Sequence, residues 1–432
     1  METGKKKTVE ARDVQRGVWN PEVFSEIDYK AAYGKHRIRG CGSTKAMPNF
    51  DDLLILPAQL TRLSLDTYRE ECETRVVLGA RFATKPVVIE TPVMIGGMSY
   101  GALSKEAKIA LAKATQKVGI VISNGEGGLL PEERANSYRQ SVQILPSRYG
   151  FSKRSFDQAD MLEWLIGIGA KPGLAGHLMG EKITEEIAEF RQLPVGIDLH
   201  SMIRPGDAFG ADDMMVKMEQ LRELTKGETP IFVKIAAGRV REDVKLAVKI
   251  GVDGIILDGA QGGTGASPVV AATHLGIPTM PALVAAVRTL EEMGVKDEMS
   301  LIISGGIKDG ADMAKALAIG ANAVAIGTGV MVAMGCRVCL RCHTGNCAFG
   351  IGTQDPELRK RLDVEETAEK AANYIKGMTY EAVLLAKAAG KSKLSSLERE
   401  DLRALTLEAC AMTGIPLVGS EFVFGQRFGF GI

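Results

Sequence analysis

The chain has 432 residues, 45% of them hydrophobic and 25% charged, an ordinary balance for a soluble globular protein of one large domain plus extensions, or of two domains. Its 53 basic and 53 acidic side chains cancel, so nothing in the charge argues for a nucleic-acid or membrane surface as partner. No apolar run reaches the roughly 18 residues of a membrane span. The start, Met1-Glu2-Thr3-Gly4-Lys5-Lys6-Lys7, lacks an apolar signal region, which points to the cytoplasm.

Residues from Met1 to about Ala46 are charged and irregular, with Pro21 and several glycines, and read as an arm or partner-facing extension. From about Pro92 short β-rich runs alternate with amphipathic helical stretches. Pro92-Val93-Met94-Ile95-Gly96 is a buried strand. Ser104 to Lys117 is a helix, with Ser104 as its cap and Ala107, Leu111 and Ala114 on one face. Gly119–Ser123, Pro194–Ile197, Ile231–Ile235, Gly254–Leu257, Leu301–Ser304 and Ala323–Ile326 read as further strands. Asp213–Leu224 and Asp309–Ile319 are among the helices between them. Continuous apolar strands imply burial on both faces, hence a parallel sheet. About eight βα units over about 250 residues predict an α/β fold, a TIM (β/α)8 barrel. A doubly wound open sheet is the alternative, but the first strand–helix turn lacks G-x-G-x-x-G. Leu362 to about Leu405 reads as helices, and Gly419–Ile432 as a tail repeating Phe and Gly. The expected organisation is an extension (1–47), a barrel (48–335), a cysteine loop (336–361), and C-terminal helices with a tail (362–432).

A TIM barrel carries its chemistry at the C-terminal ends of its strands. Ser304-Gly305-Gly306-Ile307-Lys308-Asp309-Gly310 follows the seventh strand and Gly327-Thr328-Gly329 the eighth, a layout suited to a phosphate. Inosine-monophosphate dehydrogenases use the same kind of site for a substrate phosphate. Three features point instead to FMN. Gly96-Gly97-Met98-Ser99-Tyr100-Gly101 would let backbone amides approach a flat ring. Ser123-Asn124-Gly125-Glu126-Gly127-Gly128 offers polar groups for a pyrimidine edge or a ribityl chain. Lys234, near the end of the fifth strand, would stabilise negative charge on a reduced flavin, unless it simply reaches solvent.

Four of the seven cysteines fall in Cys336-Arg337-Val338-Cys339-Leu340-Arg341-Cys342-His343-Thr344-Gly345-Asn346-Cys347. Crowded thiolates are soft ligands that favour an iron–sulfur cluster or zinc. Cys336, Cys339 and Cys342 follow a ferredoxin-like x2, x2 spacing, but the next gap is four residues and no proline follows Cys347.

The run Cys342-His343-Thr344-Gly345-Asn346-Cys347-Ala348-Phe349-Gly350-Ile351-Gly352-Thr353-Gln354-Asp355-Pro356 resembles the cluster loop of glutamate synthases. Met98–Ala107, Ser123–Gly128, Gly169-Ala170-Lys171-Pro172-Gly173 and Gly262-Gly263-Thr264-Gly265-Ala266-Ser267-Pro268 resemble the FMN-binding synthase domain of the same family. The similarity runs in order from about Pro48 to about Arg361. It implies FMN held by Met98, Ser99, Asn124, Glu126, Gln143, Lys234, Gly262, Gly263, Gly305, Gly306, Gly327 and Thr328. It also implies a [3Fe–4S] cluster on Cys336, Cys342 and Cys347, the family's C-x5-C-x4-C set. Cys339 is extra to that pattern, and as a fourth ligand it would complete a [4Fe–4S] cluster. Lys234, Lys171 and Arg148 are the implied catalytic residues, the last two as cationic partners for a dicarboxylate, with an internal ion pair the alternative for either.

The implied reaction is reductive amination of 2-oxoglutarate with ammonia to L-glutamate, electrons entering through the cluster and passing to FMN. The alternatives are an N-methylglutamate synthase-like enzyme using methylamine, and an FMN and iron–sulfur electron-transfer subunit without chemistry of its own. No glutaminase-like segment precedes the barrel in this sequence. The resemblance therefore implies a split, oligomeric enzyme with a separate amidotransferase subunit, fed by an electron-donor subunit, NADPH or ferredoxin. The sequence departs from the family at Leu174–Gly180, at Asp258-Gly259-Ala260-Gln261 and at Ser201-Met202-Ile203-Arg204-Pro205, all on the expected substrate face. His177, His200 and His274 are isolated in sequence and read as structural or surface residues, and His343 as a neighbour of the cluster. Cys41, Cys72 and Cys410 are scattered and are not expected to be ligands.

Overall fold

A computed structural model describes residues 18–147, 149, 152–202, 204–420 and 423. Eight parallel strands close into a barrel: β1 (Val93–Ile95), β2 (Val121–Ser123), β3 (Arg139–Ile144), β4 (Met161–Leu165), β5 (Ile231–Ala236), β6 (Gly254–Asp258), β7 (Ser300–Ser304) and β8 (Ala323–Ile326). Neighbours in the chain are neighbours in the sheet, and Ile326 of β8 pairs with Ile95 of β1 to complete the ring. Closure removes both sheet edges, so the open-sheet alternative falls away.

Side-chain alternation along these strands divides the core in two. Met94, Val121, Met161, Phe232, Ile256 and Ile302 point into the barrel, where they meet Leu78, Val87 and Ile89. Those three belong to an antiparallel hairpin, Val76–Leu78 with Val87–Ile89, that plugs the N-terminal end of the barrel. The alternate residues, such as Val93, Ile95, Val233, Ile255 and Leu257, face outward and pack under the helices.

The helix read from Ser104 runs over Lys105–Val118, with the Ser104 side chain accepting from the Ala107 N–H. The other two are Ala211–Leu224 and Gly310–Ile319, the latter capped by Asp309. A 25-residue helix, Val364–Ala388, packs across Lys105–Val118 and Gly310–Ile319.

Three expectations need correction. Pro194–Ile197 forms no strand; it lies in a loop with Val195 and Ile197 exposed. The third and fourth barrel strands are instead β3 and β4. Their polar Gln140, Ser141, Gln143 and Glu163 are all buried, and these broke the continuous apolar pattern. The N-terminal arm contains a helix, Pro21–Tyr33, capped by Asn20 and started by a proline, as helix N-termini favour. The C-terminal segment is not all helix: strand Leu402–Ala404 pairs antiparallel with Leu53–Ile55. Most of the Phe- and Gly-repeating tail lies outside the described residues. Among the described residues no helix is long and apolar enough to cross a membrane.

Asp253 ties the plug to the barrel. Its buried carboxylate accepts from the N–H groups of Phe82 (2.8 Å), Ala83 (3.1 Å) and Ile231 (2.8 Å), and lies 3.2 Å from Arg222. Asp253→Ala strands these donors in a dry environment and is expected to cost about 3 kcal/mol. Urea denaturation should show a lower midpoint at unchanged slope; an unchanged midpoint would contradict the role.

Candidate active site and cysteine loop

The inward-facing positions turn polar toward the C-terminal ends of the strands. Glu163, Lys234 and Asp258 lie two residues beyond Met161, Phe232 and Ile256 and therefore share their inward face. Glu163 is fully buried. It accepts from Ser123 Oγ at 2.7 Å and from Gln143 Nε2 at 2.6 Å, and Lys234 Nζ lies 3.6 Å away. Burial pushes the Lys234 ammonium toward neutrality. The Glu163 and Asp258 carboxylates outweigh it and hold its pKa above the usual lysine value. The barrel thus presents a fixed positive charge at the base of a cavity of about 640 Å³.

Of the residues expected at a flavin, Met98, Ser99, Glu126, Gln143, Lys234, Gly262, Gly263, Gly305, Gly306, Gly327 and Thr328 line this one cavity, and so does Lys171. Asn124 lies behind the wall: its Oδ1 accepts from the Gln143 N–H at 2.8 Å, while its buried Nδ2 has no partner. Asp258 Oδ1, on the cavity, is likewise buried without a hydrogen bond. Arg148 lies outside the described residues.

Gly305 and Gly306 have φ of 112° and 77°, in the left-handed region. A Cβ on Gly305 would also lie 2.6 Å from Thr279 Oγ1, so both torsion and space require glycine there. The loops after β1 and β2 are braced from behind by Lys108. It pairs with Glu133 at 2.8 Å and donates to the carbonyls of Met98 (2.7 Å) and Asn124 (2.9 Å). Lys171 donates to the Ala266 carbonyl at 3.2 Å, and burial lowers its pKa against the pull of Glu126.

The cysteine loop closes another side of the same cavity. Cys336, Cys342 and Cys347 line it, whereas Cys339 is exposed and is not among the lining residues. Cys41, set aside on sequence, is buried and lines the cavity beside them. The segment carrying it is threaded between two loops: the Gly40 N–H donates to the Leu340 carbonyl at 2.9 Å and the Cys41 N–H to the Thr264 carbonyl at 2.7 Å. Gly40 is pressed so closely to the loop that a Cβ there would lie 2.7 Å from Cys342 Cβ. Cys41, Val338 and Leu340 all hold positive φ (62°, 49° and 62°), backbone strain concentrated around the thiols. A hydrogen bond between the two thiols lowers Cys342 to about 6 and, with burial, pushes Cys41 well above the usual thiol range.

Lys182 pins the loop from the far side, donating to the carbonyls of Ala102 (2.7 Å), Gly352 (3.1 Å) and Cys342 (3.2 Å). Burial lowers its amine to about 8, with Cys342 and Cys347 pulling the other way. Glu163, Lys182 and Cys41 were all missed in the sequence. Only Glu163 carried a signal, a carboxylate inside the apolar run Met161–Leu165. His177 and His200, apart in sequence, stand against each other with ring centroids 4.2 Å apart.

Comparison with known proteins identifies the family. Residues 44–392 match the family model described as the conserved region in glutamate synthase. A glutamate synthase large subunit-like protein of Rhizobium meliloti (strain 1021) is 45% identical over 420 residues, covering 94% of this chain and 95% of its own. An archaeal glutamate synthase [NADPH] of Methanocaldococcus jannaschii is 39% identical over 421 residues, covering 90% of this chain and 82% of its own. Among solved structures, a flavocytochrome b2 double variant with bound sulfite shares the fold at 16% identity, with a TM-score of 0.54 over 84% of this chain and 80% of its own. Matching most of the chain in one family model and in these relatives, the protein belongs to the glutamate synthase family.

Proposed function

We propose that this oxidoreductase reductively aminates 2-oxoglutarate with ammonia to L-glutamate, using FMN and an iron–sulfur cluster held side by side. One observation carries the reading: the buried cation Lys234 and the thiols of Cys336, Cys342 and Cys347 line one continuous cavity. Its volume suits a ligand of cofactor size. The unpartnered Asp258 Oδ1, on the cavity wall, is a polar atom of the kind a flavin's ring edge or ribityl chain would satisfy. When bound, FMN supplies hydride transfer and the cluster supplies one-electron input.

The residues of the chain do the rest. Lys234, kept charged by Glu163 and Asp258, offers its ammonium to negative charge at the base of the cavity. Met98 and Ser99, held by the Lys108 brace, form one wall. Gly305, Gly306, Gly327 and Thr328, after the last two strands, suit the phosphate. Lys171 is our candidate partner for a substrate carboxylate, with Arg148 a second on family resemblance alone. For the cluster, Cys336, Cys342 and Cys347 form the ligand set, which favours [3Fe–4S]; exposed Cys339 is the residue a [4Fe–4S] alternative would need. A single zinc ion with Zn–S bonds of about 2.3 Å would need sulfurs within about 4 Å of one another. Among the described residues, no three cysteines form a group with ligand atoms within 4.8 Å. Cys41 would serve as a hydrogen-bond donor to the Cys342 sulfur and so tune the cluster's potential. We further propose that ammonia comes from a separate glutaminase subunit, and electrons from a donor subunit or ferredoxin, in the reducing cytoplasm.

Purified protein should release FMN on denaturation. Given dithionite, 2-oxoglutarate and ammonium, it should form glutamate. Preferential use of methylamine would move the assignment to an N-methylglutamate synthase, and flavin reduction with no product to an electron-transfer subunit. Lys234→Met should lower glutamate formation by about 10²–10³-fold, the usual cost of one lost electrostatic donor at a reacting centre; an unchanged rate would remove Lys234 from the chemistry.

Cys41→Ala should keep its full iron content but lower the cluster's reduction potential, because a hydrogen bond to a ligand sulfur favours the more negative, reduced state. An unchanged potential would contradict that role, measured by redox titration followed by EPR.

A further inference from the structure

A second group of ligating side chains stands at the border of the cavity, on a two-stranded ribbon between β4 and β5. Strand His177–Leu178 pairs antiparallel with Leu199–His200, and the register sets His177 opposite His200. Asp198 precedes His200 by two residues, the spacing that returns a side chain to the same face of an extended chain. As a result one ligand atom from each of His177, Asp198 and His200 lies within 4.8 Å of the others. His177 Nε2 is 3.0 Å from Asp198 Oδ2, and the two imidazole rings are 4.2 Å apart with planes inclined by 31°.

One donor pair of this set, His177 Nε2 and Asp198 Oδ2 at 3.0 Å, already has the spacing of two ligands on one ion, and the third donor lies within 4.8 Å of both. Nitrogen and oxygen donors at about 2.0–2.2 Å from a tetrahedral ion lie about 3.3 Å apart. The Asp198 carboxylate is already oriented: its Oδ1 accepts from the Gly180 N–H at 2.7 Å, leaving Oδ2 toward the histidines. An outer hydrogen bond of this kind commonly fixes a ligating group. The Gly180 N–H and His177 also hold the carboxyl below its usual range, so it is an anion. As an ion pair the arrangement contributes little, because Asp198 and His200 are exposed and such pairs are worth about 0–1 kcal/mol.

We propose that His177, Asp198 and His200 bind one divalent first-row transition ion, with zinc the best match to two imidazoles and a carboxylate and with water completing its coordination. The site shares no ligand with the cysteine loop, and its test does not depend on the flavin chemistry. Its position gives it a consequence. His177, Leu178 and Leu199 line the cavity, so an ion joining the two strands braces the ribbon across its mouth.

The test uses tag-free protein carrying its own cofactors, dialysed against a mild chelator and titrated with Co2+, then with competing Zn2+. The visible spectrum should report one equivalent bound through nitrogen and oxygen, and Zn2+ should displace it. His200→Ala and Asp198→Ala should each weaken binding at least about tenfold. His274→Ala, which removes an exposed histidine elsewhere, should leave binding unchanged. Hydrogen exchange in 176–201 should slow on metal addition in the wild type and not in His200→Ala. Absence of a bound equivalent, binding indifferent to both ribbon variants, or intense sulfur-to-cobalt charge-transfer bands would overturn the proposal.

Discussion

Lys234 and Glu163 sit 3.6 Å apart inside the barrel, where an uncompensated charge costs several kcal/mol. The pair survives because each partner is supported. Glu163 collects hydrogen bonds from Ser123 and Gln143, and Lys234 feels both Glu163 and Asp258. The separation is longer than an ordinary hydrogen bond, so the ammonium is held charged without being saturated by its counter-ion. Strand alternation fixes where this happens. The apolar layer of Met161, Phe232 and Ile256 seals the barrel below, and the next inward layer must be polar if the cavity above is to receive a charged or polar group. The loops after β1, β2, β6, β7 and β8 are then arranged around that floor.

The cysteine loop is tied into the same assembly from two directions. Lys182 links the carbonyls of Cys342 and Gly352 to that of Ala102, in the loop after β1. From the N-terminal side, the Gly40–Cys41 segment joins the loop at Leu340 and the β6 loop at Thr264. These hydrogen bonds couple the cysteine loop to the loops after β1 and β6. Such coupling is what the proposed pair of redox groups would need to keep a short, constant separation. The positive torsions at Cys41, Val338 and Leu340 lie at these same junctions.

Much of the architecture could be read from the chain because six barrel strands are plain apolar runs and their helices carry clear caps such as Ser104 and Asp309. The strands that escaped, β3 and β4, are the ones that supply Gln143 and Glu163. Polar function inside the barrel erased the apolar signature that would have revealed them. The glycine and cysteine motifs pointed to residues that the fold gathers on one cavity, because local backbone demands are written locally. Cys41, Lys182 and the His177–His200 pair were illegible for the opposite reason. Cys41 and Lys182 act across long sequence separations, and the histidines meet only through the pairing of His177–Leu178 with Leu199–His200.

We propose that one cavity seats FMN over Lys234 beside an iron–sulfur cluster. A crystal structure of anaerobically purified protein, with anomalous maps at the iron edge, tests it most directly. An isoalloxazine ring against Met98 and Lys234, its phosphate by Gly305, Gly306 and Thr328, and an iron peak enclosed by Cys336, Cys342 and Cys347 are expected. A different ligand in the cavity, or no iron peak between those three thiols, would contradict it.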